Sequence, residues 1–322
     1  MNNNVIVTVK DSTKRNKRFE NLCELSQADL KIKLEKELIK IAGENNVLNR
    51  DGYLYAEGNI PILVTAHLDT VHKELPKEII YSDGCVTSPQ GIGGDDRCGV
   101  YIIMELLKDK DKRPHVLFCE DEEIGGVGSE KFVTDHQSPI NDLIDREICY
   151  CIDIDRKGNN DAVYYELENE SFEDFISKRF WQTAYGSFTD ICNICPKMKV
   201  AGVNLSCGYY KQHTKDEYVV LKEMEKALRE IKALIARTTE NDRFEWIECE
   251  RYGRLYGYYD DDSYTDLFGG HDEYLDYEIL YVKNGEQLSY YTMARSEAEA
   301  IGFFVMEIPK VTYEDILYVS LT

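Results

Sequence analysis

The sequence predicts an α/β fold: a three-layer sandwich with a mixed, largely parallel sheet, followed by a small α+β appendage. Continuous apolar runs, the pattern of strands covered on both faces, recur between residues 60 and 208. Amphipathic segments of helical period alternate with these runs, as expected where crossover helices join parallel strands. Around residue 239 the composition changes to a tyrosine- and acid-rich segment without long apolar runs. Together these observations favour one large α/β domain and a smaller C-terminal one.

The first elements of the large domain are predicted from a helix signal and two apolar patterns. Ser26 followed by Asp29 is typical of a helix start, and apolar residues at helical spacing continue until Gly43. The next predicted elements are a hairpin strand, a buried strand and a helix, at residues 52–58, 60–69 and 99–110.

The remaining elements follow the same alternation. Further segments are predicted to be strands buried in the sheet or at its edge, and two are predicted to be amphipathic helices. The buried strands are 115–120, 147–155 and 199–208, the antiparallel or edge strand is 162–169, and the helices are 172–184 and 221–239. We predict two domains, residues 1–239 and residues 240–322. In the second domain, the pattern of residues 287–321 predicts a strand, a helix and a strand.

Composition excludes several classes of partner. The net charge of -22 argues against nucleic acid and anionic membranes, because both are polyanions. No apolar run approaches the roughly 18 residues that a membrane span needs. The N-terminus lacks the pattern of a secretory signal, so we expect a cytoplasmic protein whose ten cysteines stay reduced.

Potential metal ligands follow several of the predicted strands. The stretch HVLFCEDEE delivers four consecutive acids at the end of a buried strand, where α/β sheets place their chemistry. Other histidine and acidic residues lie at strand ends or on turns before helices: His67, Asp69, Asp95, Asp96, Asp153, Asp155 and His213. Each of them alone is better explained as a local hydrogen-bonding residue, a helix cap or a solvated side chain.

The combination predicts a metal centre. Two histidines and three carboxylates that converge on one crevice would suit two divalent metals sharing a bridging carboxylate. Clustered carboxylates repel one another and are costly to bury unless a cation compensates. Two dications would provide that compensation, which explains why four acids follow a buried strand.

The same stretches resemble a known superfamily. The motifs AHLDTV, GIGGDDRCG, DEEIGGVGS, IDIDRKG and HTKDEY, in that order, are similar to those of the dinuclear zinc exopeptidases. These include peptidase T and carboxypeptidase G type enzymes and the leucyl or glutamyl aminopeptidases. The similarity spans roughly residues 60 to 237 and implies the zinc-dependent exopeptidase fold.

The resemblance also implies roles for individual residues. His67 and Asp155 would bind one metal, Glu123 and His213 the second, and Asp95 both. Asp69 would orient the His67 imidazole, and Glu122 would be the general base. Two divalent ions are expected, zinc above all, with cobalt or manganese as alternatives. Asp153 remains an alternative to Asp155, because residues two apart on a strand share a face.

The chain departs from its relatives in length. Only 28 positions separate His67 from Asp95, and 58 separate Asp155 from His213. Neither interval has room for the extra domains that several relatives insert there. The oligomeric state and the specificity that those domains confer are therefore left open.

A further segment resembles part of a substrate pocket. Ser187, Thr189 and Asp190 are similar to a GS-x-TD segment near the substrate site of some aminopeptidases. A helix N-cap by Ser187 or Thr189 is an equally good interpretation.

These observations lead to a functional hypothesis with two alternatives. The chain is expected to be a metal-dependent exopeptidase, an aminopeptidase that cleaves a terminal amide bond of small peptides. The first alternative keeps the site but changes the substrate, as in a carboxypeptidase, a dipeptidase or an N-acyl amino-acid deacylase. The second alternative is a non-catalytic binding relative. The oligomeric state and the role of residues 240–322 are not predicted.

Overall fold

A computed structural model of the chain shows two compact units, residues 1–249 and residues 250–322. The structure describes residues 5–136, 148–178, 180–184, 186, 188–239, 241–248, 275–283, 286–294, 304, 308, 311 and 315–321. Among the helices in these ranges, none has the length and apolar character that crossing a membrane requires.

The first unit alternates helices with short and medium strands. Its helices are α1 (Lys17–Cys23), α2 (Gln27–Ala42), α3 (Gly94–Leu106), α4 (Val127–His136), α5 (Glu170–Ser177), α6 (Asp190–Met198) and α7 (Leu221–Arg237). Its strands are β1 (Ile6–Val9), β2 (Val47–Arg50), β3 (Tyr53–Ala56), β4 (Ile60–His67), β5 (Glu78–Ser82), β6 (Cys85–Thr87), β7 (Pro114–Cys119), β8 (Tyr150–Arg156), β9 (Asp161–Val163), β10 (Gln182–Ala184), β11 (Gly202–Ser206), β12 (Tyr209–Tyr210) and β13 (Tyr218–Val220).

Eight of these strands form the central sheet. Their spatial order is β10-β9-β11-β8-β4-β7-β3-β2. Strand β4 pairs in parallel with both β7 and β8, and β8 pairs in parallel with β11. Strands β2 and β3 add an antiparallel edge. The mixed, largely parallel sheet expected from the sequence is confirmed.

Alternate side chains of the central strands enter two different apolar clusters, one on each face of the sheet. In β4, Val64 belongs to one cluster and Leu63 to the other. The first cluster also contains apolar residues of α2, α3 and α7, whereas the second contains those of α4 and α6. Helices therefore cover both faces, which gives the three layers predicted by the continuous apolar runs.

The parallel strands bring their carboxyl ends to one edge of the sheet. His67 at the end of β4 lies opposite Cys119 at the end of β7. Thr65 lies opposite Asp153 in β8, so Asp155 follows at nearly the same level. This edge places the residues that follow each strand next to one another.

A second sheet in the first unit was not predicted. It has five strands in the order β1-β5-β6-β13-β12. Its strands have two to five residues, too short for a pattern of alternating burial to be recognised in the sequence. The loop between β12 and β13 carries His213.

Two predicted elements differ from the structure. Residues 172–184 were expected to form one helix, but α5 ends at Ser177 and residues 182–184 pair in parallel with β9. Phe172, Phe175, Ile176 and Phe180 have helical spacing, so the pairing of residues 182–184 with β9, a tertiary interaction, accounts for the difference. Strand β9 is shorter than predicted and ends at Val163, although it does pair antiparallel with β11.

The second unit contains a three-stranded antiparallel sheet. Its strands are β14 (Leu275–Lys283), β15 (Glu286–Ala294) and β16 (Ile316–Leu321), with β14 in the middle. Tyr277, Ile279 and Tyr281 alternate along β14 and pack with Phe304 and Val311 in a small core. The strands expected within 287–321 are present, β14 was not predicted, and the helix expected between them lies largely outside the described residues.

Candidate metal centre

The predicted ligands project from different elements at the carboxyl edge of the central sheet. His67 is the last residue of β4, and Asp155 lies at the end of β8. Glu123 follows β7 by four positions, and Asp95 lies in the irregular first turn of α3. His213 lies in the β12–β13 loop with a left-handed backbone (φ 62°). The fold thus directs side chains from five separate segments towards one place.

His67, Asp95 and Asp155 form the first of two donor groups. The His67 Nε2 atom is 2.9 Å from Asp95 Oδ1 and 3.6 Å from Asp155 Oδ1. One ligand atom of each residue lies within 4.8 Å of the others. One nitrogen and two carboxylate oxygens at this spacing can hold a divalent metal.

Asp95, Glu123 and His213 form the second donor group. The His213 Nε2 atom is 3.3 Å from Asp95 Oδ2 and 3.0 Å from Glu123 Oε2. The other Glu123 oxygen, Oε1, is buried without a hydrogen-bond partner. Since Asp95 turns Oδ1 to the first group and Oδ2 to the second, its carboxylate can bridge two ions. This donor chemistry fits the pair of metals that the sequence resemblance implies.

Asp69 accepts hydrogen bonds from residues of both donor groups. Its Oδ1 atom accepts hydrogen bonds from His67 Nδ1 at 3.1 Å and from the Glu122 amide at 3.0 Å. Its Oδ2 atom accepts from the Glu123 amide at 3.0 Å. A single carboxylate therefore fixes the imidazole on β4 and the backbone of the acid run after β7. The bond to Nδ1 leaves Nε2 as the metal-facing atom.

Asp155 and Asp153 occupy different environments although they share a face of β8. Asp155 accepts from Tyr209 Oη at 3.0 Å and from Thr189 Oγ1 at 3.1 Å, and it lies in the first donor group. Asp153 is deeper, only 1% exposed, and accepts from Thr189 Oγ1 at 2.5 Å. Of the two aspartates, Asp155 is the one that reaches the site.

Glu122 belongs to neither donor group but faces the same crevice. Burial raises the pKa of Glu122 to about 10. The charge of His67 lowers this pKa, and the charge of Asp155 raises it. Its carboxylate is therefore near the ligands, while its backbone is held by Asp69. Adjacent residues in this turn diverge, so Glu123 can face a metal while Glu122 remains unbound.

The electrostatics of the cluster reflect an excess of negative charge. Burial raises the pKa of Asp155 to about 7, and repulsion from Asp95 adds to the rise. Hydrogen bonds to Asp95 and Glu123 raise the pKa of His213 to about 10. Burial alone would lower the pKa of His67, but Asp155, Asp69 and Asp95 outweigh it and hold that pKa well above its ordinary value. The site therefore attracts positive charge, whether protons or metal ions.

Of the three residues predicted to line a substrate pocket, the two that the structure describes are buried. Thr189 and Asp190 are each 1% exposed, and Ser187 lies outside the described residues. Thr189 occupies the N-cap position of α6, but its hydroxyl makes no capping bond and donates to Asp153 and Asp155 instead. The neighbouring Phe188 is 41% exposed. Thr189 thus contacts a ligand rather than open surface.

Four residues with direct contacts to the ligand segments were missed by the sequence interpretation. Tyr209 binds Asp155, Asn204 exchanges two hydrogen bonds with the Asp155 backbone, and the carboxylate of Glu217 accepts from the Asp95 amide at 2.9 Å. Arg97 donates to the backbone carbonyls of Leu68 and Asp69. Tyr209 and Glu217 both lie in the stretch YYKQHTKDEY, in which the sequence assigned a role to His213 alone.

Comparisons with known proteins support the fold. Residues 53–193 match the profile of Peptidase family M28. Aminopeptidase PepT from Bacillus cereus is 14% identical with a TM-score of 0.51, over 68% of this chain and 96% of that one. A tripeptidase from Staphylococcus aureus is 13% identical with a TM-score of 0.55, over 68% and 97% of the chains.

An archaeal structure gives a similar result. An aminopeptidase from Desulfurococcus kamchatkensis is 14% identical with a TM-score of 0.53, over 70% of this chain and 95% of that one. Comparison with curated protein sequences gives no significant match. At these identities the solved structures establish a shared fold, and the fold extends over almost the whole length of each of the three.

Proposed function

We propose that this chain is a metallo-exopeptidase of the zinc exopeptidase superfamily and, more specifically, an aminopeptidase acting on small peptides. The observation that carries the proposal is the shared carboxylate of Asp95. It joins two donor groups on one sheet edge, with Glu122 beside them. That arrangement supports hydrolysis of an amide bond assisted by two metals.

Five side chains would hold the metals. His67 and Asp155 would bind one ion, Glu123 and His213 the other, and Asp95 both. Zinc fits two imidazole nitrogens and three carboxylates, although cobalt or manganese fits the same donors. When bound, the ions would supply Lewis acidity for the scissile carbonyl and for the attacking water.

Glu122 is proposed to be the general base. Its carboxylate would take a proton from the attacking water and deliver that proton to the nitrogen of the departing amine. A base in this role must not be a metal ligand, and Glu122 lies outside both donor groups. Burial raises the pKa of Glu122 to about 10, and two dications beside it would lower that pKa, so that the carboxylate is ionised and can accept a proton.

Asp69 would act on the imidazole and backbone rather than on substrate. Its hydrogen bond to Nδ1 of His67 fixes the ring, and its bonds to the two amides fix the turn that carries Glu122 and Glu123. The proposed base and one ligand are therefore positioned by the same carboxylate.

The charge of the site favours recognition of an amino terminus. In the described part of the chain, no lysine or arginine side chain donates to Glu122 or to the five proposed ligands. A carboxypeptidase, a dipeptidase or a deacylase of N-acyl amino acids needs a cation to hold the substrate carboxylate. An α-ammonium group is instead attracted by the surplus of acids.

Hydrolysis assays on three substrate types test the proposal. Aminoacyl p-nitroanilides, N-blocked peptides and N-acyl amino acids would be offered to the purified chain before chelation, after it, and after zinc is restored. We expect metal-dependent release only from substrates with a free α-amine. Preferential cleavage of N-blocked peptides or N-acyl amino acids would instead support the carboxypeptidase or deacylase alternative.

A pair of variants tests the general base. Glu122→Ala should retain metal but lose at least about 100-fold in kcat, since general acid–base catalysis contributes about 10²–10⁴-fold. Asp121→Asn is the matched control, because that neighbouring acid of the same run hydrogen-bonds to Gln27. Parent-like turnover by Glu122→Ala would show that another group moves the proton.

A further inference from the structure

Glu217 is a buried carboxylate that lies outside both donor groups. It is 1% exposed, and three groups donate hydrogen bonds to it. The Oε1 atom accepts from the Asp95 amide at 2.9 Å. The Oε2 atom accepts from the Gly93 amide at 2.8 Å and from His72 Nε2 at 2.7 Å. Both oxygens are therefore engaged.

These bonds join three segments, each of which carries a proposed metal ligand. His72 follows His67 by five positions, Gly93 lies two positions before Asp95, and Glu217 follows His213 by four positions. His72 is itself confined, because its ring lies 2.2–2.4 Å from where a Cβ on Gly91 would be. Glu217 thus binds the turn of Asp95 directly and the segment after His67 through His72.

The loop that carries His213 has few other constraints on its side chains. Residues 211–216 are half-buried or exposed, and His213 adopts a left-handed backbone. Glu217 is the first buried residue after this loop. Its three hydrogen bonds anchor the end of the loop against the turn that presents Asp95.

We propose that Glu217 is a positioning residue that holds Asp95 and His213 at the separation needed to bind the second metal of the centre. The inference rests on the proposed metal centre and assigns to Glu217 no contact with metal or substrate. Buried hydrogen bonds to a carboxylate are short and strong, so they fix the relative placement of the segments that they join.

The chemistry of the side chain matters as well as its size. A glutamine at position 217 would have one acceptor oxygen and one NH₂ group. With three donors around it, that NH₂ would face an N–H and leave a buried donor without a partner. Loss of an outer partner of a metal site commonly costs about 10–100-fold in metal affinity. We therefore expect Glu217→Gln to lose about 10–100-fold in affinity for zinc at one of two sites.

The experiment is a titration of the full chain with zinc after metal has been removed by a chelator. Binding is monitored by calorimetry or by competition with a chromophoric chelator. Glu20→Gln is the matched control, because Glu20 is also a buried carboxylate but binds Arg15 near the start of α1. The control should bind zinc like the parent. At saturating cobalt, Glu217→Gln should also show an altered visible absorption spectrum, a change that general destabilisation would not cause.

The outcomes separate this inference from the proposed function. If the parent binds no divalent metal, the proposed function fails, and the inference fails with it. If the parent binds two ions and Glu217→Gln matches it in affinity and cobalt spectrum, only the positioning role is wrong. Should Glu217→Gln not fold, His72→Ala decides the matter, because it removes one of the three donors at the outer end of the network. A drop in zinc affinity supports the role, and parent-like binding overturns it.

Discussion

Replacement of Asp69 tests whether a residue that is not itself a metal ligand is needed to organise the metal centre. Asp69 contacts no metal in the proposed arrangement, yet it accepts hydrogen bonds from His67, Glu122 and Glu123. Asp69→Asn keeps the shape of the side chain and removes its charge. Asp69→Ala removes all three bonds.

The magnitude follows from the number of acceptor oxygens. If the amide oxygen introduced by Asp69→Asn takes the place of Oδ1, it still accepts from His67 and Glu122, but the NH₂ group then faces the Glu123 amide. A buried donor left unpaired costs about 1–3 kcal/mol. Metal affinity and turnover should therefore fall by about 10–100-fold in Asp69→Asn, and by more in Asp69→Ala.

Two measurements and one control test this reasoning. Zinc affinity is measured by titration of the chelated protein, and kcat is measured with an aminoacyl substrate at saturating zinc. Asp109→Asn is the control, because Asp109 also accepts from two backbone amides, in an exposed turn away from the site. If Asp69→Ala binds zinc and turns over like the parent, the carboxylate does not organise the centre.

Three further predictions concern stability. Zinc at about 100 times its Kd should stabilise the parent by about 2.7 kcal/mol and so raise its thermal midpoint. The rise should be smaller in Asp95→Asn, and equal rises would contradict a site shared through Asp95. Burial lowers the pKa of His115 to about 4, so the unfolded chain binds the extra proton first and stability should fall by about 3 kcal/mol between about pH 6.5 and 4. The pH dependence measured by urea unfolding should be weaker in His115→Asn, and parallel curves would refute that assignment. Gly99→Ala should lower the urea midpoint, at a cost of about 1–3 kcal/mol, because its Cβ would lie 2.2 Å from the Ile154 carbonyl oxygen; a parent-like midpoint would be contrary evidence.

The sequence was informative about the centre of the fold because buried parallel strands have a distinctive composition. Strands β4, β7, β8 and β11 are buried on both faces over most of their length, so each is visible as a largely apolar run. Polar residues at the ends of such runs must then lie at one edge of the sheet. His67 and Asp155 were placed near one another by this reasoning, and the superfamily motifs added specific roles.

The contacts that support the ligands were not predictable in the same way. Glu217 and Asp95 are 122 positions apart, and Asn204 and Asp155 are 49 apart. Nothing in the composition around Glu217 distinguishes it from the exposed acid Asp216. Their different burial depends on how the β12–β13 loop packs on α3, and that packing is a tertiary property. The five-stranded sheet escaped prediction for a related reason, since its strands are stabilised by partners distant in sequence.

Arg97 indicates why the positive charge of the site has to be supplied from outside the chain. It follows the Asp95–Asp96 pair and is 2% exposed. A buried guanidinium usually pairs with a carboxylate, yet every hydrogen bond that the structure gives Arg97 goes to a backbone carbonyl, those of Leu22, Leu25, Leu68 and Asp69. This cation is therefore engaged in fixing the backbone around Asp69, and none of its described hydrogen bonds goes to a ligand carboxylate. Metal ions and, under the proposed function, the ammonium group of a substrate can then balance that charge.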